Sequence, residues 1–303
     1  MSIYVENRMR TSVEELWRRT QTPSEHSRWD LRFTRIEYLP RSSSEDPQRF
    51  LYSTRIGLGL AIRGEGETVG GHLDERGSRT SSLKFWSDES ISLIREGAGY
   101  WKYIPVEEGV RFLTRYDYRT RFGKMGKFFD RLVFRPLLGW ATAWSFDRLR
   151  LWIERGIPPE VSMERFLVHA AARIGTALIW IYQGLVPKLL RPDAGGEMAI
   201  LRRLGVFPGR EASVLFLLGI GEVAFGLLFL VLWRRRSLFA VNAVLLAALL
   251  VSVLPGGGSL LSGPFNPLTL TIAMWALSLI GWWSARDLPS AGNCLRREPE
   301  LEN

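Results

Sequence analysis

Apolar and polar residues alternate along much of the first 122 positions, whereas beyond residue 165 the apolar ones gather into long blocks. The alternation is clearest over residues 110–122, VRFLTRYDYRTRF. There Phe112, Thr114, Tyr116, Tyr118, Thr120 and Phe122 share one face, and Arg111, Arg115, Asp117, Arg119 and Arg121, with Leu113, fall on the other. Such a strand belongs to an antiparallel sheet with one face on an interior and one in water. Further strands are predicted at 3–5, 33–39, 50–55, 62–69, 79–86, 90–96 and 99–104, with turn chemistry at 57–59, 70–71, 75–77 and 107–109. Gly64-Glu65-Gly66 and Gly97-Ala98-Gly99 read as turn or bulge glycines.

Thr11-Ser12 caps a predicted helix, with Glu14 and Glu15 at its positive end and Val13, Leu16 and Trp17 as its apolar face. A second helical turn is expected around 23–29. Residues 124–155 carry Phe128, Leu132, Phe134, Leu138, Trp140, Trp144, Phe146, Leu149, Trp152 and Ile153 at helical spacing. Pro136 is expected to kink this helix or to stand near a start, and Gly156-Ile157-Pro158-Pro159 to end it as a stiff linker.

Four apolar blocks follow, at 166–190, 212–233, 238–254 and 267–285. The last three have the length a helix needs to cross a bilayer core of about 30 Å. The first is less pure, because it holds His169, Arg173, Gln183 and Lys188. Four crossings place both ends of the chain on one side. Arg148, Arg150, Arg155, Arg165, Arg234, Arg235, Arg236, Arg286, Arg296 and Arg297 face that side, against Lys188, Arg191, Arg202, Arg203 and Arg210 opposite. Ten against five favours a cytoplasmic N- and C-terminus in a multi-pass protein of the inner (cell) membrane. The expected layout is a soluble domain over 1–155, a linker over 156–164, a membrane domain over 165–287 and a polar tail over 288–303.

Composition sharpens this division. Residues 1–161 hold 49 of the 71 Lys, Arg, Asp and Glu residues. The pI near 10.0 comes from cations scattered among acids or placed beside apolar blocks, which suits topology and anionic lipid rather than nucleic acid. With three histidines and the one cysteine, Cys294, neither a bis-histidine haem nor a zinc cluster is expected. Residues 1–17 show no apolar signal core, so the first domain is expected in the cytosol.

The candidate chemistry is sparse. Glu222 is the one acid inside the apolar blocks, where an ionised carboxylate is costly. It reads as a ligand or proton site, or as helix glue. Unless a cation lies beside it, a neutral carboxyl that hydrogen-bonds Asn242, Gln183 or a ligand is expected, and Arg173 and Lys188 are the candidate cations. Gly219, Gly221 and Gly226 read as close-packing positions, and Asn266 as a helix cap before Pro267. In the soluble domain Thr114, Tyr116 and Tyr118, with Trp86, are candidates to line a ligand cavity; an ordinary aromatic core is the competing reading. No nucleophile–base set is visible, and His26 and His72 stand in loop-like contexts.

Two resemblances follow from these residues. Residues 1–155 resemble the START-like, or SRPBCC, superfamily that includes polyketide cyclases and lipid-transfer domains. The order of elements carries it: IYVENRMRTSVEELWRRTQTPSEHSRWD, the meander, then a long helix after RYDYRTRFGKMGKFFDRLVFR. It implies an α+β helix-grip fold, an antiparallel sheet around a long C-terminal helix with an apolar cavity between. Residues 165–287 resemble the DoxX-like membrane family through IWIYQGLVPKLL, GIGEVAFGLLFL and GPFNPLTLTIAMWALSLIG, with Thr271 where Asn is expected. It implies an all-α bundle of four transmembrane helices. Together they imply a cytoplasmic domain that binds a lipophilic small molecule and couples it to the membrane bundle, with membrane lipids as partners and no resident cofactor. The rival is a membrane subunit of a quinone-linked oxidoreductase with a redox partner protein. A weaker reading is cyclase chemistry in the grip domain.

Overall fold

The computed structural model describes residues 2–43, 46–57, 59–192, 197–205, 207–253 and 266–299. It divides into two compact units: residues up to Ser162 together with those from Pro289 on, and Met163–Leu288. Leu254 of the third apolar block, and 263–265 of the block before Pro267, lie outside the described residues.

In the first unit β1 (Ile3–Met9) leads into helices α1 (Val13–Gln21) and α2 (Pro23–Trp29). Ser12 caps α1 by accepting from the Glu15 amide. Strands β2 (Arg35–Tyr38), β3 (Arg49–Gly57), β4 (Leu60–Leu73), β5 (Arg79–Trp86), β6 (Ile94–Val106) and β7 (Gly109–Thr120) complete one antiparallel sheet in the order β1-β7-β6-β5-β4-β3-β2. The first strand therefore pairs with the last, Val5 opposite Thr114. Helix α3 (Gly123–Phe129), a π-helical turn (Asp130–Phe134) and α4 (Arg135–Arg155) follow. Pro136 has no amide hydrogen to return to residue 132, which is consistent with the widened turn just before it. Gly156, at φ 65°, ends α4 with its amide on Leu151 O. The helix packs along the sheet, with Phe146 stacked on Phe112 at 4.4 Å between ring centres.

Three sequence expectations are corrected here. Residues 94–96 of the segment predicted at 90–96 join the one predicted at 99–104 in a single strand, β6, while 90–93 stay in the preceding loop, and Gly70-Gly71 lies inside β4 rather than ending it. Gly64, Gly66, Gly97 and Gly99 are likewise not turn residues. The rings of Tyr52, Phe50 and Phe85 lie across the first three, and the Tyr116 side chain crowds the fourth, where a Cβ would stand. Aromatic side chains fill the space that a side chain would otherwise take.

Most of the stretch expected as a linker and most of the one expected as a polar tail pack within this unit. Arg148 donates to Pro159 O at 2.7 and 2.9 Å, and Arg28 pairs with Glu160. At the other end of the chain, Leu295 and Glu6 exchange backbone hydrogen bonds beside β1. Asp147 on α4 accepts from the Ser290 amide and from Asn293 Nδ2. The Cys294 thiol donates to Ala143 O and accepts from Asn7. Burial, with the charge of Asp147, pushes that thiol up to about 12.

The second unit contains α5 (Pro159–Gly184) from Met163 on, a π-helical turn (Leu185–Leu190), α6 (Glu197–Leu204), α7 (Glu211–Val231), α8 (Ser237–Val253) and α9 (Pro267–Ser284). Helices α7 and α9 are long and apolar enough to cross a membrane, and both are mostly exposed, unlike core helices of a soluble domain. Helix α8 is apolar with 17 residues. Buried polar side chains join the helices. Asn242 accepts from Trp180 Nε1 at 2.6 Å and donates to Ser278 Oγ at 2.7 Å. Arg173, fully buried, donates to Phe229 O, Leu232 O and Arg235 O, which satisfies carbonyls at the C-terminal end of α7. Asn266 caps α9 by accepting from the Thr269 amide.

Candidate functional site

The sheet and the helices that cross it enclose a cavity of about 240 Å³ in the first unit. Ile62, Leu83, Phe85, Trp101 and Tyr116 from the strands, with Phe134 and Leu138 from the helical side, give it a largely apolar wall. Every second strand residue points inward, which brings these side chains to one wall.

One polar cluster interrupts this wall. Thr22 precedes Pro23 at the start of α2, and the helix ends at Asp30. One helical turn therefore brings His26 Nε2 to 3.1 Å from Asp30 Oδ2. Arg32, two residues on, donates from Nε to Asp30 Oδ1 at 2.9 Å and from Nη2 to Oδ2 at 2.6 Å. The guanidinium lies 5.5 Å from the ring centres of both Phe33 and Tyr116. His26 stacks on Trp29 and meets Phe33 and Trp101 edge-on. Because Asp30 only accepts, the neutral imidazole carries its hydrogen on Nε2.

Burial alone would raise the Asp30 carboxyl, but the charge of Arg32 and the hydrogen bonds from His26 and Arg32 together outweigh it and hold the group well below the ordinary range. Burial likewise opposes the charge on Arg32, and Asp30 more than restores it. Burial lowers His26 despite its bond to Asp30. The cluster is thus a neutralised ion pair beside an uncharged imidazole, a polar pole in an apolar chamber. It can hydrogen-bond a ligand's oxygen; no nucleophile stands with it.

The predicted cavity residues divide. Thr114 and Tyr116 line the chamber. The Tyr116 hydroxyl shares a 2.8 Å hydrogen bond with Thr142 on α4, and Thr114 donates to Tyr100 O. Tyr118 shares their face but lies farther along β7, where its hydroxyl donates to Asp130 Oδ1 at 2.5 Å. Trp86 points the other way. Ser81, Leu83 and Phe85 face inward from β5, so position 86 falls on the outer face, beside Arg63 and Glu65. The reading of His26 as a loop residue without a partner is corrected by its place in α2, four residues before Asp30. His, Asp and Arg at 26, 30 and 32 were the signal for the cluster, hidden among the many charges of the first half.

In the second unit Glu222 has a cation beside it. Lys188 Nζ lies 2.8 Å from Glu222 Oε2 and 2.9 Å from Glu197 Oε1, and it donates to Gln183 O at 3.2 Å. Pro187 explains the last bond: it has no amide hydrogen for the carbonyl four residues back, so Gln183 O is open to the ammonium. The expected neutral carboxyl bonded to Asn242 or Gln183 is therefore replaced by an ion pair, and Asn242 serves the separate Trp180–Ser278 link. The glycines also divide. A Cβ at Gly184 or Gly226 would strike backbone of the neighbouring helix, whereas Gly221 faces open space. Among the described residues no group of His, Cys, Asp and Glu is placed to hold a metal ion.

Comparison with known proteins agrees with this second unit. Residues 177–279 match the model of the DoxX-like family. An uncharacterised membrane protein of Bacillus subtilis (strain 168), YndG, is 50% identical over 183 residues, which is 60% of this chain and 68% of that protein. The chain belongs to the DoxX-like family. Among solved structures, this DoxX-like protein is similar to a STAR-related lipid transfer protein from Xanthomonas axonopodis (13% identity, 50% of this chain and 85% of that one, TM-score 0.39). It is also similar to the Zhui aromatase/cyclase of Streptomyces sp. R1128 (11%, 50% and 96%, TM-score 0.36), and to a protein of Thermus thermophilus, TTHA0849 (17%, 46% and 87%, TM-score 0.35).

Proposed function

We propose that the sheet domain binds a lipophilic small molecule in its cavity and presents it to a DoxX-like bundle of four membrane helices, α5, α7, α8 and α9, with both chain ends in the cytoplasm. The observation that carries this reading is the largely apolar chamber with one charged pole, Arg32 beside His26 in its wall and Asp30 paired behind them. Its volume, about 240 Å³, exceeds the roughly 150 Å³ of an apolar cavity that takes benzene. It is below the roughly 300 Å³ at which drug-sized pockets begin. A ligand of one or two rings, or a short acyl or isoprenoid chain, with an oxygen at one end suits that space. Lipids of the membrane complete the list of partners, and the chamber needs no resident cofactor to be bound.

A second reading is favoured by the Lys188–Glu222 pair, charged groups set against a long apolar helix. In that reading the bundle is a membrane subunit of a quinone-linked oxidoreductase, served by a redox partner, and the pair holds the polar end of the quinone. Extraction of the detergent-purified protein with organic solvent, followed by mass spectrometry, separates the two. A stoichiometric fatty acid, isoprenoid or small aromatic supports the first reading. A quinone supports the second, and an extract with neither overturns both.

A further inference from the structure

We propose that one end of the sheet domain, built around α3 and the π-helical turn after it, docks onto a lipid surface that carries anionic headgroups. Strand register brings three connections to that end. The β3–β4 hairpin closes at Gly57 and Leu60, the β5–β6 loop follows the Trp86–Glu65 pair, and β7 leaves the sheet after Thr120 pairs with Ile94. Each connection exposes apolar residues to solvent: Ile56 and Leu60 on the first, Ile91 on the second, Phe122 on the third. The helical segment adds more. Met125 is 82% exposed, Phe128 70% and Leu132 65%. Isolated exposed apolar residues need no explanation, but a contiguous helical set of them does.

Charge selects the partner. Lys124, Lys127 and Arg131 stand exposed between these residues and form no ion pair among the described residues. The one acid between residues 122 and 140, Asp130, is turned inward, where it accepts from Tyr118 and pairs with Arg135. The loop at 87–93 brings two acids, Asp88 and Glu89, outside the helical face itself. A helix with cations flanking exposed Phe, Leu and Met lies in a headgroup layer, its apolar side toward the acyl chains. A soluble protein partner would ask for complementary acids at defined positions; a bilayer offers diffuse negative charge and an apolar slab, which is what this pattern matches.

The backbone agrees. Phe122 adopts φ 64° and ψ 27°, the left-handed region that an aromatic residue rarely occupies, and exposes its ring while doing so. A glycine or asparagine would make this turn with less strain. A strained, exposed phenylalanine points to a role for the ring outside the domain. Ile56, Ile94 and Phe134 of the same end also line the chamber, so a docked end sets one side of the cavity beside the acyl region. Docking itself does not require that the chamber hold a ligand, and its test reads no ligand.

The full chain is placed as single copies in lipid nanodiscs, with Phe128→Cys or Leu132→Cys carrying a spin label. Cys294 is half-buried with its thiol bonded to Ala143 O and stays in place, and the chain without an added cysteine serves as the blank. The label is expected to collide with oxygen in preference to an aqueous nickel chelate when the disc contains phosphatidylglycerol. That preference is expected to be lost in pure phosphatidylcholine, and lost again in Lys124→Glu/Lys127→Glu/Arg131→Glu. Three results overturn the proposal: a water-exposed label in anionic discs, a label shielded from both reagents by protein, or equal insertion in anionic and neutral lipid. Should the triple variant misfold by circular dichroism, the two lipid compositions decide with the unaltered charges.

Discussion

Arg32 holds Asp30 by two hydrogen bonds, of 2.9 and 2.6 Å, across a gap of one residue, in the wall of an apolar chamber. Asp30 is fully buried and Arg32 nearly so, and the carboxylate depends on the guanidinium beside it. Arg32→Ala leaves a buried carboxylate without its cation and should destabilise the domain by about 3–5 kcal/mol. Arg32→Ala/Asp30→Ala should cost clearly less than the single change. Denaturant unfolding followed by tryptophan fluorescence checks this, since Trp29 and Trp101 adjoin the cluster. Equal costs for the single and double variants would show that the pairing is immaterial.

Acid should weaken the same domain in two stages. Burial lowers His26 in the fold, so the unfolded chain takes up a proton first, and stability present above an unfolded value of about 6.5 is lost as the pH falls below it. Asp30 is also lowered in the fold, and its contribution is lost below an unfolded value of about 3.9. The unfolding midpoint should therefore drop between pH 6.5 and 5. His26→Gln should flatten that first drop while leaving the steeper loss nearer pH 4. An unchanged profile in the variant would remove His26 from the account.

Filling the chamber should displace its occupant without unfolding the domain. Leu83→Trp directs an indole into the cavity from β5. Overpacking a filled core costs about 1–3 kcal/mol, but here the added rings enter space already open. The variant should keep its thermal midpoint within a few degrees and lose whatever lipophile co-purifies with the parent chain. Retention of that molecule at full stoichiometry would place it elsewhere.

Lys188 serves two carboxylates, and its loss should hurt more than the loss of either. Glu222→Gln keeps the shape and leaves Lys188 with Glu197, so a change within about 1 kcal/mol is expected. Lys188→Met leaves Glu197 and Glu222 facing each other without a cation and should cost several-fold more. Thermal unfolding in mild detergent ranks the two variants, and the reverse order would contradict the ion-pair geometry.

The glycines of α7 give an internal control. Gly226→Ala meets Ala177 O and the Ile181 side chain and should destabilise the bundle by about 1–3 kcal/mol. Gly221→Ala meets nothing and should stay within about 0.5 kcal/mol, or gain slightly from helix propensity. The comparison uses the same unfolding measurement. Equal effects would show that α5 and α7 do not approach as described.

The strongest sequence signals survive because they come from local periodicity. Strand β5 has the bounds that its pattern predicts, and β7 places Phe112, Thr114, Tyr116 and Tyr118 on the inner face. The failures have a common cause in partners that are distant in sequence. Gly97 and Gly99 look like a turn until the ring of Phe85 and the side chain of Tyr116 are seen across them. Trp86 looks like cavity material until the register of β5 fixes Phe85 as the inward residue. Glu222 looks solitary because its cation lies thirty-four positions earlier, in a turn opened by Pro187. The His26–Asp30 spacing was open to view, yet it is common enough by chance that only the neighbouring Arg32 and the chamber give it weight.

The seam between Glu6 and Leu295 makes the whole polypeptide a closed circuit. The described helices from Met163 to Leu288 lie inside that circuit, so the topology proposed above, with both ends on one side, requires an even number of membrane crossings within it. The seam also sets an order of events. Ribosomal synthesis delivers residues 290–295 after the apolar helices of residues 163–288, each of which has by then had its chance to insert. Until then the acceptors on Asp147 and Ala143 and the edge of β1 await their partners. A chain whose bundle inserted with one crossing too few would carry its tail to the wrong side and could never close the seam. Under that proposed topology the sheet unit contains a built-in check on the completeness of the membrane part that follows it.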